Sequence, residues 1–301
     1  MARVVSVINY KGGVGKTTIT LQLGVCLATH FKKKVLLIDL DPQCSLSLST
    51  VDEHYWADWV ERRGSVKSVL QTFWDEEKPS LSPDWVIENA LGRAWDSLPG
   101  KTPTLDLLPS HLELPEYDMR LVSKKPRHIG TMDEFYLKRY LILREAISSI
   151  RKGYDFVLFD CPPNVYLGAR NAIIASDYYL VPTIPDFISC YGIPFILSHI
   201  ETMLEEVHER GVRTTANFLG IVRNRVRKAG ANLVREHEEQ STKLKRDYED
   251  HLLQSMVMDR IGVAELLGTR DNIYNNGERT AEIRGDFIRL TQEVLDRIGK
   301  S

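Results

Sequence analysis

Residues 3–18 read RVVSVINYKGGVGKTT, an apolar run followed by a glycine-rich loop and the start of a helical pattern. The run from Arg3 to Asn9 predicts a buried strand, and Lys16 to His30 predicts a helix. The glycines between them let the backbone curl so that successive N–H groups face one anion, and the following helix adds its positive N-terminal end. The segment therefore predicts a phosphate-binding loop.

The loop also assigns individual roles. Nucleotide contacts are predicted for Gly12, Gly13, Val14, Gly15, Lys16, Thr17 and Thr18. Lys16 is expected to reach the β and γ phosphates, and the Thr17 hydroxyl is expected to bind Mg²⁺. A simple glycine-rich turn is the alternative interpretation, but strand, loop and helix follow one another in the order that a phosphate-binding loop needs.

Outside this segment, short apolar runs alternate with longer amphipathic stretches. Further strands are predicted at Val35 to Leu40, Leu105 to Pro109, Phe156 to Asp160, Tyr179 to Pro182, Phe218 to Asn224 and Ser255 to Met258. Helices are predicted at Asp133 to Arg151, Tyr191 to Arg210, Ala231 to Leu252 and Arg284 to Ile298. Such alternation predicts an α/β fold, a doubly wound, mostly parallel sheet with helices on both faces.

Carboxylates stand where two of these strands end. Asp39 and Asp41 close the second strand, and the period of two along a strand predicts that both face the same side. Asp160 closes the apolar run that begins at Phe156. Ligands bind at the carboxyl ends of strands in such sheets, so these side chains are candidates for the site that the loop begins.

Composition excludes several classes of protein. The 301 residues carry 39 Lys and Arg against 41 Asp and Glu, a formal charge of −2, which excludes a globally basic nucleic-acid coat. We expect a cytoplasmic protein, because the sequence lacks an apolar run of about 18 residues and does not begin like a signal peptide. The four cysteines are widely spaced, which indicates reduced thiols and no zinc site.

One stretch breaks the regular alternation. All five tryptophans fall between Val51 and Gly100. We interpret the chain as a single P-loop domain, residues 1–301, with a Trp-rich acidic insertion at about 51–104. The aromatic side chains are expected to form a small local core, and a partner-binding surface is the alternative.

The loop departs from the ordinary motif at two positions, since Tyr10 replaces the first glycine and Lys11 opens the loop. In this it resembles the ParA/MinD family of P-loop ATPases, and its small partition ATPases in particular. The resemblance implies an ATP-sandwich dimer in which Lys11 of one subunit reaches the phosphates of the other. It also implies catalytic roles for Lys11, Lys16 and Asp41, with Asp41 orienting or deprotonating the attacking water.

The same resemblance supplies metal and base contacts. Mg²⁺ would be held by Thr17 and, through water, by Asp39 and Asp160. Cys161-Pro162-Pro163 resembles the switch II segment of the family. Asn224 is the candidate for the adenine edge, with a capping role in the next turn as the alternative. An iron–sulfur cluster at Cys161 is not expected, because no second cysteine occupies a matching loop.

Basic residues late in the chain suggest a second ligand. The DNA-binding candidates are Arg223, Arg225, Arg227, Lys228 and Arg235. In the family such residues bind DNA without sequence preference, through phosphate neutralisation. Acidic residues are interleaved after Arg235, so a solvated, charge-laced helix is the alternative. The last helical stretch is too acidic for a typical membrane-surface helix, and packing on the sheet explains it better.

These observations predict a Mg²⁺-dependent ATPase that dimerises on ATP, binds nonspecific DNA and acts in plasmid or chromosome partition or in cargo positioning. A ParB-like or adaptor partner would stimulate hydrolysis, and the protein would be nucleoid-associated in the cytoplasm. The alternatives are a membrane-associated, MinD-like division regulator and a regulatory switch that docks a protein partner.

Overall fold

A sheet of seven parallel strands lies at the centre of the computed structural model, which describes residues 1–76, 78–90, 104–127, 129–164, 166–260 and 280–300. Its strands are β1 (Arg3–Val7), β2 (Val35–Asp39), β3 (Leu105–Leu108), β4 (Phe156–Asp160), β5 (Tyr178–Thr183), β6 (Asn217–Val226) and β9 (Leu252–Met258). The strand order is β3-β2-β4-β1-β5-β6-β9. A small antiparallel hairpin, β7 (Lys228–Ala229) and β8 (Asn232–Leu233), stands apart from this sheet.

Helices cover both faces of the sheet. They are α1 (Lys16–Thr29), α2 (Ser45–Thr50), α3 (Glu53–Arg62), α4 (Val66–Asp75), α5 (Leu114–Ser123), α6 (Met132–Lys138), α7 (Ile142–Ser148), α8 (Leu167–Ala175), α9 (Phe187–Tyr191), α10 (Ile193–Glu209), α11 (Arg235–Asp247) and α12 (Ala281–Lys300). The predicted class of fold is confirmed. All seven predicted strands are present, and their ends move by at most three residues.

Two apolar cores lie on the two faces, and alternate residues of each strand supply them. On β2, Leu36 and Ile38 belong to one core, whereas Val35 and Leu37 belong to the other. The first core packs against α4 to α8 and α10, and the second packs against α1 and α12. Because both faces are covered, every residue of the central strands β2 and β4 is buried, which explains the continuous apolar runs there.

The prediction of one helix from Asp133 to Arg151 is wrong in one respect. The structure has two helices there, α6 and α7, separated at residues 139–141. The Asn171 side chain, from α8, lies in the break, where its amide donates to the Arg139 carbonyl (2.8 Å) and its oxygen accepts from the Leu143 N–H (3.1 Å). A distant amide thus satisfies backbone groups that would otherwise continue the helix. The sequence pattern around the break gives no sign of it.

The helix predicted from Ala231 to Leu252 is also too long. Its first residues form the β7–β8 hairpin, which turns at Gly230 with a φ of 66°. At the other end, Leu252 already belongs to β9 and pairs with Ile221 of β6. Strand pairing therefore shortens the predicted helix at both ends, although the amphipathic pattern there favoured a helix.

The C-terminal helix packs on the sheet, as the sequence predicted. Its apolar side chains, Ile283, Phe287, Leu290, Val294 and Ile298, are buried in the second core. Glu293 accepts the backbone N–H groups of Gln254 and Ser255 on the edge strand β9, each at 2.8 Å. The helix thus supplies both apolar area and partners for an exposed sheet edge.

One stretch, Phe187–Glu209, passes a length and hydropathy test for a membrane-spanning helix, with a mean hydropathy of 1.3. In the fold it comprises α9 and α10, and the buried side chains of α10 face the sheet, namely Ile193, Ile196, Ile200, Met203 and Val207. Core packing accounts for the apolar residues on this face of α10.

The described tryptophans of the Trp-rich stretch make specific internal contacts. The indole N–H of Trp56 donates to the Ser110 carbonyl (3.2 Å), and that of Trp59 donates to the Trp85 carbonyl (3.1 Å). Trp74 stacks on the Arg120 guanidinium, whose carbon lies 3.8 Å from the ring centroid. Trp95 lies outside the described residues. These contacts join α3 and α4 to the end of β3 and to α5.

Gly220 is a position where only glycine fits. Its φ is 141°, and a Cβ there would lie 2.2 Å from the His251 carbonyl oxygen. We expect Gly220→Ala to lower the free energy of unfolding by at least about 2 kcal/mol, measured by denaturant titration. Gly299→Ala is the matched control, because a Cβ there meets nothing within 4 Å. Equal stability of the two variants would contradict the close approach of β6 and β9.

Candidate functional site

A cavity of about 400 Å³ opens at the carboxyl ends of the strands. Its lining comes from the glycine-rich loop, the segments after β2 and β4, and the ends of β6 and β9, and it comprises Gly12, Gly13, Gly15, Lys16, Thr17, Thr18, Asp41, Gln43, Ser45, Pro163, Asn224, Arg225, Met258, Asp259 and Arg260. Most of the predicted nucleotide contacts are thus brought to one place. Val14 of the loop is instead fully buried beneath it.

The loop has the backbone that its glycines permit. Gly13 and Gly15 have φ values of 78° and 87°, in the left-handed region that favours glycine. A Cβ on Gly15 would lie 2.1 Å from the amide nitrogen of Asn224. That nitrogen donates to the Val14 carbonyl (2.8 Å), so Asn224 braces the loop from β6. Asn224 also lines the cavity, and its predicted contact with adenine stays a prediction.

Lys16 begins α1 and points along the floor of the loop. Its Nζ donates to the Lys11 carbonyl (3.3 Å), which folds the loop around the ammonium group. Burial lowers the pKa of Lys16, and the nearby Asp160, Cys161 and Asp41 oppose that shift. A buried cation at the start of a helix is well placed to bind an anion in the cavity.

Asp160 and Thr17 are in direct contact. The Thr17 hydroxyl donates to Asp160 Oδ2 (2.7 Å), and the Thr20 hydroxyl, one turn further along α1, donates to Oδ1 (3.2 Å). The end of β4 is therefore linked to the first turn of α1. This is the pair that the sequence predicted to serve one metal ion, although the two residues are separated by 143 positions.

Asp39 and Asp41 differ in surroundings. β2 ends at Asp39, so the alternation that placed both side chains on one side does not extend to Asp41. Asp39 is fully buried and accepts from the Ser47 N–H (2.8 Å) and hydroxyl (2.7 Å), whereas Asp41 lines the cavity. Ser110, at the end of β3, donates its hydroxyl to the Asp41 carbonyl (2.7 Å). Asp41 is thus held at the cavity by a rigid backbone.

The strand register places two carboxylates side by side. Asp39 pairs with Asp160 across β2 and β4, and neither side chain is exposed. Burial, followed by the charge of Asp39, raises the pKa of Asp160. Burial raises the pKa of Asp39 as well. A cation nearby would relieve both costs, so the donor set of Thr17, Asp160 and Asp39 fits a hard divalent ion such as Mg²⁺.

The protein supplies only part of such a coordination sphere. Within the described residues, no group of three or more His, Cys, Asp or Glu is arranged to hold a metal. Mg²⁺ ordinarily keeps several waters and binds through one or two side chains plus phosphate oxygens. The arrangement therefore suits a metal that enters with a nucleotide.

Lys11 is turned away from the cavity. Its Nζ donates to the Ser189 hydroxyl (2.7 Å) and to Asp186 (3.2 Å), and it does not line the cavity. Asp186 caps α9 by accepting the Ser189 N–H (2.7 Å). Although burial opposes the shift, hydrogen bonds from Ser189 and Lys11 hold the pKa of Asp186 below its ordinary value. Lys11 and Lys16 thus serve different places despite lying in one loop.

The DNA-binding candidates have different surroundings. Arg223 donates to the Leu253 and Gln254 carbonyls within the sheet, and Arg225 donates to the Gly13 carbonyl beside the cavity. Arg227 pairs with Asp259 (2.8 Å). Lys228 is exposed on the hairpin, and the Arg235 side chain is 92% exposed on α11. Arg223, Arg225 and Arg227 are thus engaged in contacts within the chain, whereas Lys228 and Arg235 are exposed, and DNA binding by these five residues stays a prediction.

Sequence reasoning missed several residues that shape the site. Ser47 and Ser110 fix the segment after β2, and Asp186 and Ser189 hold Lys11. Gln43 and Arg260 line the cavity without having been singled out. Of these residues, only Ser47 lies close in the chain to the side chain that it holds, eight positions after Asp39, so only its contact could have been anticipated. The other partners are distant in sequence, so no local pattern marks them.

Comparisons with known proteins agree with this architecture. A family model described as an AAA domain matches residues 2–210. The chromosome partitioning protein ParA of Caulobacter vibrioides is 31% identical over 212 residues, 69% of this chain and 66% of that protein. The sporulation initiation inhibitor protein Soj of Bacillus subtilis is 25% identical over 209 residues, 69% of this chain and 68% of that protein.

Solved structures share the fold at low identity. A McdA variant from Cyanothece in complex with ATP has a TM-score of 0.72 and 17% identity, covering 99% of this chain and 96% of that one. Cobyrinic acid a,c-diamide synthase from Mycobacterium smegmatis with ADP and magnesium has a TM-score of 0.69 and 20% identity, covering 100% and 96%. A plasmid partition protein from Borrelia burgdorferi bound to AMPPNP has a TM-score of 0.65 and 19% identity, covering 100% and 99%.

The parallel sheet, the glycine-rich loop and the carboxylates at the adjoining strand ends define a P-loop NTPase. The family match spans more than half of the chain. With the lysine that opens its loop, the chain belongs to the ParA/MinD family of ATPases.

The raised pKa values of Asp39 and Asp160 have a consequence for stability. The unfolded chain loses these protons near pH 4, whereas the folded protein keeps them to higher pH and so binds more protons over that interval. We therefore expect the thermal midpoint of the nucleotide-free protein, measured in EDTA, to fall as the pH rises from about 5 to about 8. Asp160→Asn removes one titrating group and should weaken this dependence. An unchanged slope in the variant would contradict the assignment.

Proposed function

We propose that the protein is a partition-type ATPase that forms an ATP-sandwich dimer and hydrolyses ATP in the cavity described above. The observation that carries the proposal is the different placement of its two loop lysines. Lys16 faces the cavity of its own subunit, whereas Lys11 points outward to Asp186 and Ser189. An outward cation beside a phosphate site is available to the phosphates of a second subunit.

Release of Lys11 from Asp186 costs little. The Lys11 side chain is 36% exposed, and partly exposed ion pairs contribute at most about 1 kcal/mol. The triphosphate of an apposed subunit carries several negative charges and offers the ammonium group a stronger partner. ATP would therefore favour the dimer, and ADP, which lacks the γ phosphate, would favour separate subunits.

Different residues of the cavity would serve different steps of hydrolysis. Backbone N–H groups of the loop and Lys16 would bind the phosphates, and Asp41 would orient the attacking water and accept its proton. When bound, Mg²⁺ would be held through Thr17 and Asp160, with Asp39 nearby, and would neutralise charge on the phosphates. Ser110 holds the backbone of Asp41 and Asn224 holds the loop, so the water and the phosphate would meet in a fixed geometry.

We expect Lys11→Ala to bind ATP but to remain monomeric, because the cross-subunit charge pair is lost. Light scattering with a nonhydrolysable ATP analogue and Mg²⁺ measures the change. The matched control is Asp41→Ala, which should form dimers but hydrolyse ATP at least about 100-fold more slowly. Dimers of the Lys11→Ala protein at the wild-type analogue concentration would refute the cross-subunit role.

We also propose that the dimer binds DNA without sequence preference and acts in the cytoplasm on the nucleoid, in partition or cargo positioning with a stimulating adaptor. The exposed hairpin and the adjoining α11 offer cations outside the cavity, among them Lys228, Arg235, Lys243, Lys245 and Arg246. Phosphate neutralisation needs such local charge rather than a positive net charge. We regard the chain as one ATPase domain with an insertion at 51–104.

The affinity for random-sequence DNA, measured with the ATP-bound dimer, should fall linearly on a log–log plot against salt. The double variant Lys228→Ala/Arg235→Ala should weaken binding and make the slope shallower by about 1 per lost phosphate contact. Arg62→Ala/Lys78→Ala removes two charges from the α3–α4 region as the control and should leave the slope unchanged. Equal slopes for both double variants would exclude this surface as the DNA site.

A further inference from the structure

Two apolar cavities beside the segments that follow β2 and β4 share four lining residues and form one trench. The inner cavity has a volume of about 240 Å³, and the outer one has a volume of about 530 Å³. They share Asp118 and Met119 of α5 and Tyr166 and Leu167 at the start of α8. We call this the α5–α8 trench. It is separate from the cavity of the phosphate-binding loop, with which it shares no lining residue.

One wall of the trench is an exposed face of α5. Pro115, Asp118, Met119 and Val122 follow one another at spacings of three, one and three residues, so they lie on one side of the helix. Met119 is 73% exposed and Val122 is 66% exposed. This stripe spans about 10 Å, two helical turns. A face of this size and spacing matches the contact surface of an apposed helix.

The α4 segment holds this wall in place. Arg120, on the opposite side of α5, stacks on Trp74 of α4. Lys67, at the start of α4, pairs with Glu113 immediately before α5 (2.6 Å). These contacts use the polar side chains of the back of α5, and its apolar stripe is left facing the trench. The Trp-rich stretch therefore builds a surface as well as a local core.

The inner end of the trench touches the two segments that follow β2 and β4. Pro42 lies next to Asp41, and Pro162 follows Asp160 by two residues; both prolines line the inner cavity, together with Asn164. A side chain inserted at this end would pack against the two segments that carry the predicted water-orienting and metal-binding carboxylates. Occupation of the trench can therefore change the rate at which those segments support hydrolysis.

Asp118 gives the trench a charge requirement. Burial raises the pKa of its carboxyl group to about 6, and no described residue donates a hydrogen bond or a positive charge to it. The guanidinium groups of Arg139 and Arg170 at the outer end lie over the Tyr140 ring and donate to its hydroxyl, and neither donates to Asp118. A carboxylate that is largely buried and unpaired is costly, and an incoming cation would remove that cost.

We propose that the α5–α8 trench binds an amphipathic helix of a partner protein, whose apolar side chains fill the trench and whose lysine or arginine pairs with Asp118. The apolar stripe sets the spacing of the anchors, at i, i+3 or i+4, and i+7. The exposed methionine suits such a surface, because its side chain adapts to different partners. The effect of this helix on ATP turnover rests on the proposed function, whereas its binding does not.

The test uses the full-length protein and a display library of helical peptides of about 15 residues. Peptides selected on the wild-type protein should carry the apolar spacing above together with a lysine or arginine. Their affinity should fall at least about tenfold for Val122→Arg, which blocks the trench, and for Asp118→Asn, which removes the charge. Leu112→Arg is the matched control, because Leu112 is exposed just before α5 but does not line the trench.

The thermal midpoint of Asp118→Asn and the oligomeric state of the nucleotide-free chain provide two further tests. Asp118→Asn should raise the thermal midpoint at pH 7.5 by about 2–4 °C, because a partly buried charge without a partner is removed. A lower midpoint would overturn the claim that Asp118 lacks a partner. Selected peptides that ignore Val122→Arg, or that bind Asp118→Asn unchanged, would also overturn the proposal. So would concentration-dependent dimers of the nucleotide-free chain that Val122→Arg abolishes, since these would show a second copy as the occupant.

Nucleotide binding is measured in parallel with a fluorescent ATP analogue, which Val122→Arg and Asp118→Asn should bind like the wild-type protein. A wild-type chain that bound peptide through the trench but did not hydrolyse ATP would refute the proposed function and leave the docking site standing. A chain that hydrolysed ATP but bound no peptide through the trench would refute the docking site and leave the proposed function standing.

Discussion

The site depends on the register between β2 and β4, which places the carboxyl groups of Asp39 and Asp160 beside each other under the phosphate-binding loop. Both groups are fully buried, and each makes the ionised form of the other more costly. Hydrogen bonds from Thr17, Thr20 and Ser47 offset part of that cost. A divalent cation that arrives with the nucleotide would offset the remaining cost of ionising the two carboxyl groups. Each of these contacts joins separate elements, so the register must be correct for the site to exist.

The loop that covers this pair separates two positive charges. Lys16 is buried close to Asp160, and Lys11 is held outside the cavity by Asp186, which caps α9. Only a short run of glycines, two of them in the left-handed region, can turn the backbone sharply enough to send neighbouring lysines to opposite sides. This separation links the occupancy of the cavity to what a second subunit can contribute, which is the basis of the proposed ATP-dependent dimer.

The segment between β2 and β3 connects the site to the outer surface. Trp56 contacts the Ser110 carbonyl, and the Ser110 hydroxyl holds the Asp41 carbonyl, so the aromatic helices are one residue removed from the predicted water-orienting carboxylate. On their other side the same helices support α5 and its exposed apolar stripe. Hydrolysis at Asp41 and binding of a partner on α5 would therefore both affect the packed helices α3, α4 and α5. Such packed contacts transmit small displacements because protein interiors are dense.

The sequence by itself determined the phosphate-binding loop, the carboxylates at the strand ends and all seven strands of the sheet. These features depend on local chemistry, namely glycine conformations, apolar runs long enough for a doubly covered strand, and side chains fixed at strand ends. Tertiary structure alone decided where Lys11 points, which side chains hold Asp39 and Asp41, and where the two long helical patterns break. Asn171 interrupts a helix from a distance, and sheet pairing shortens another. Tertiary contacts also engage Arg223 and Arg225, which donate to backbone carbonyls of β9 and of the loop. Such contacts join residues far apart in the chain, and no local pattern encodes them.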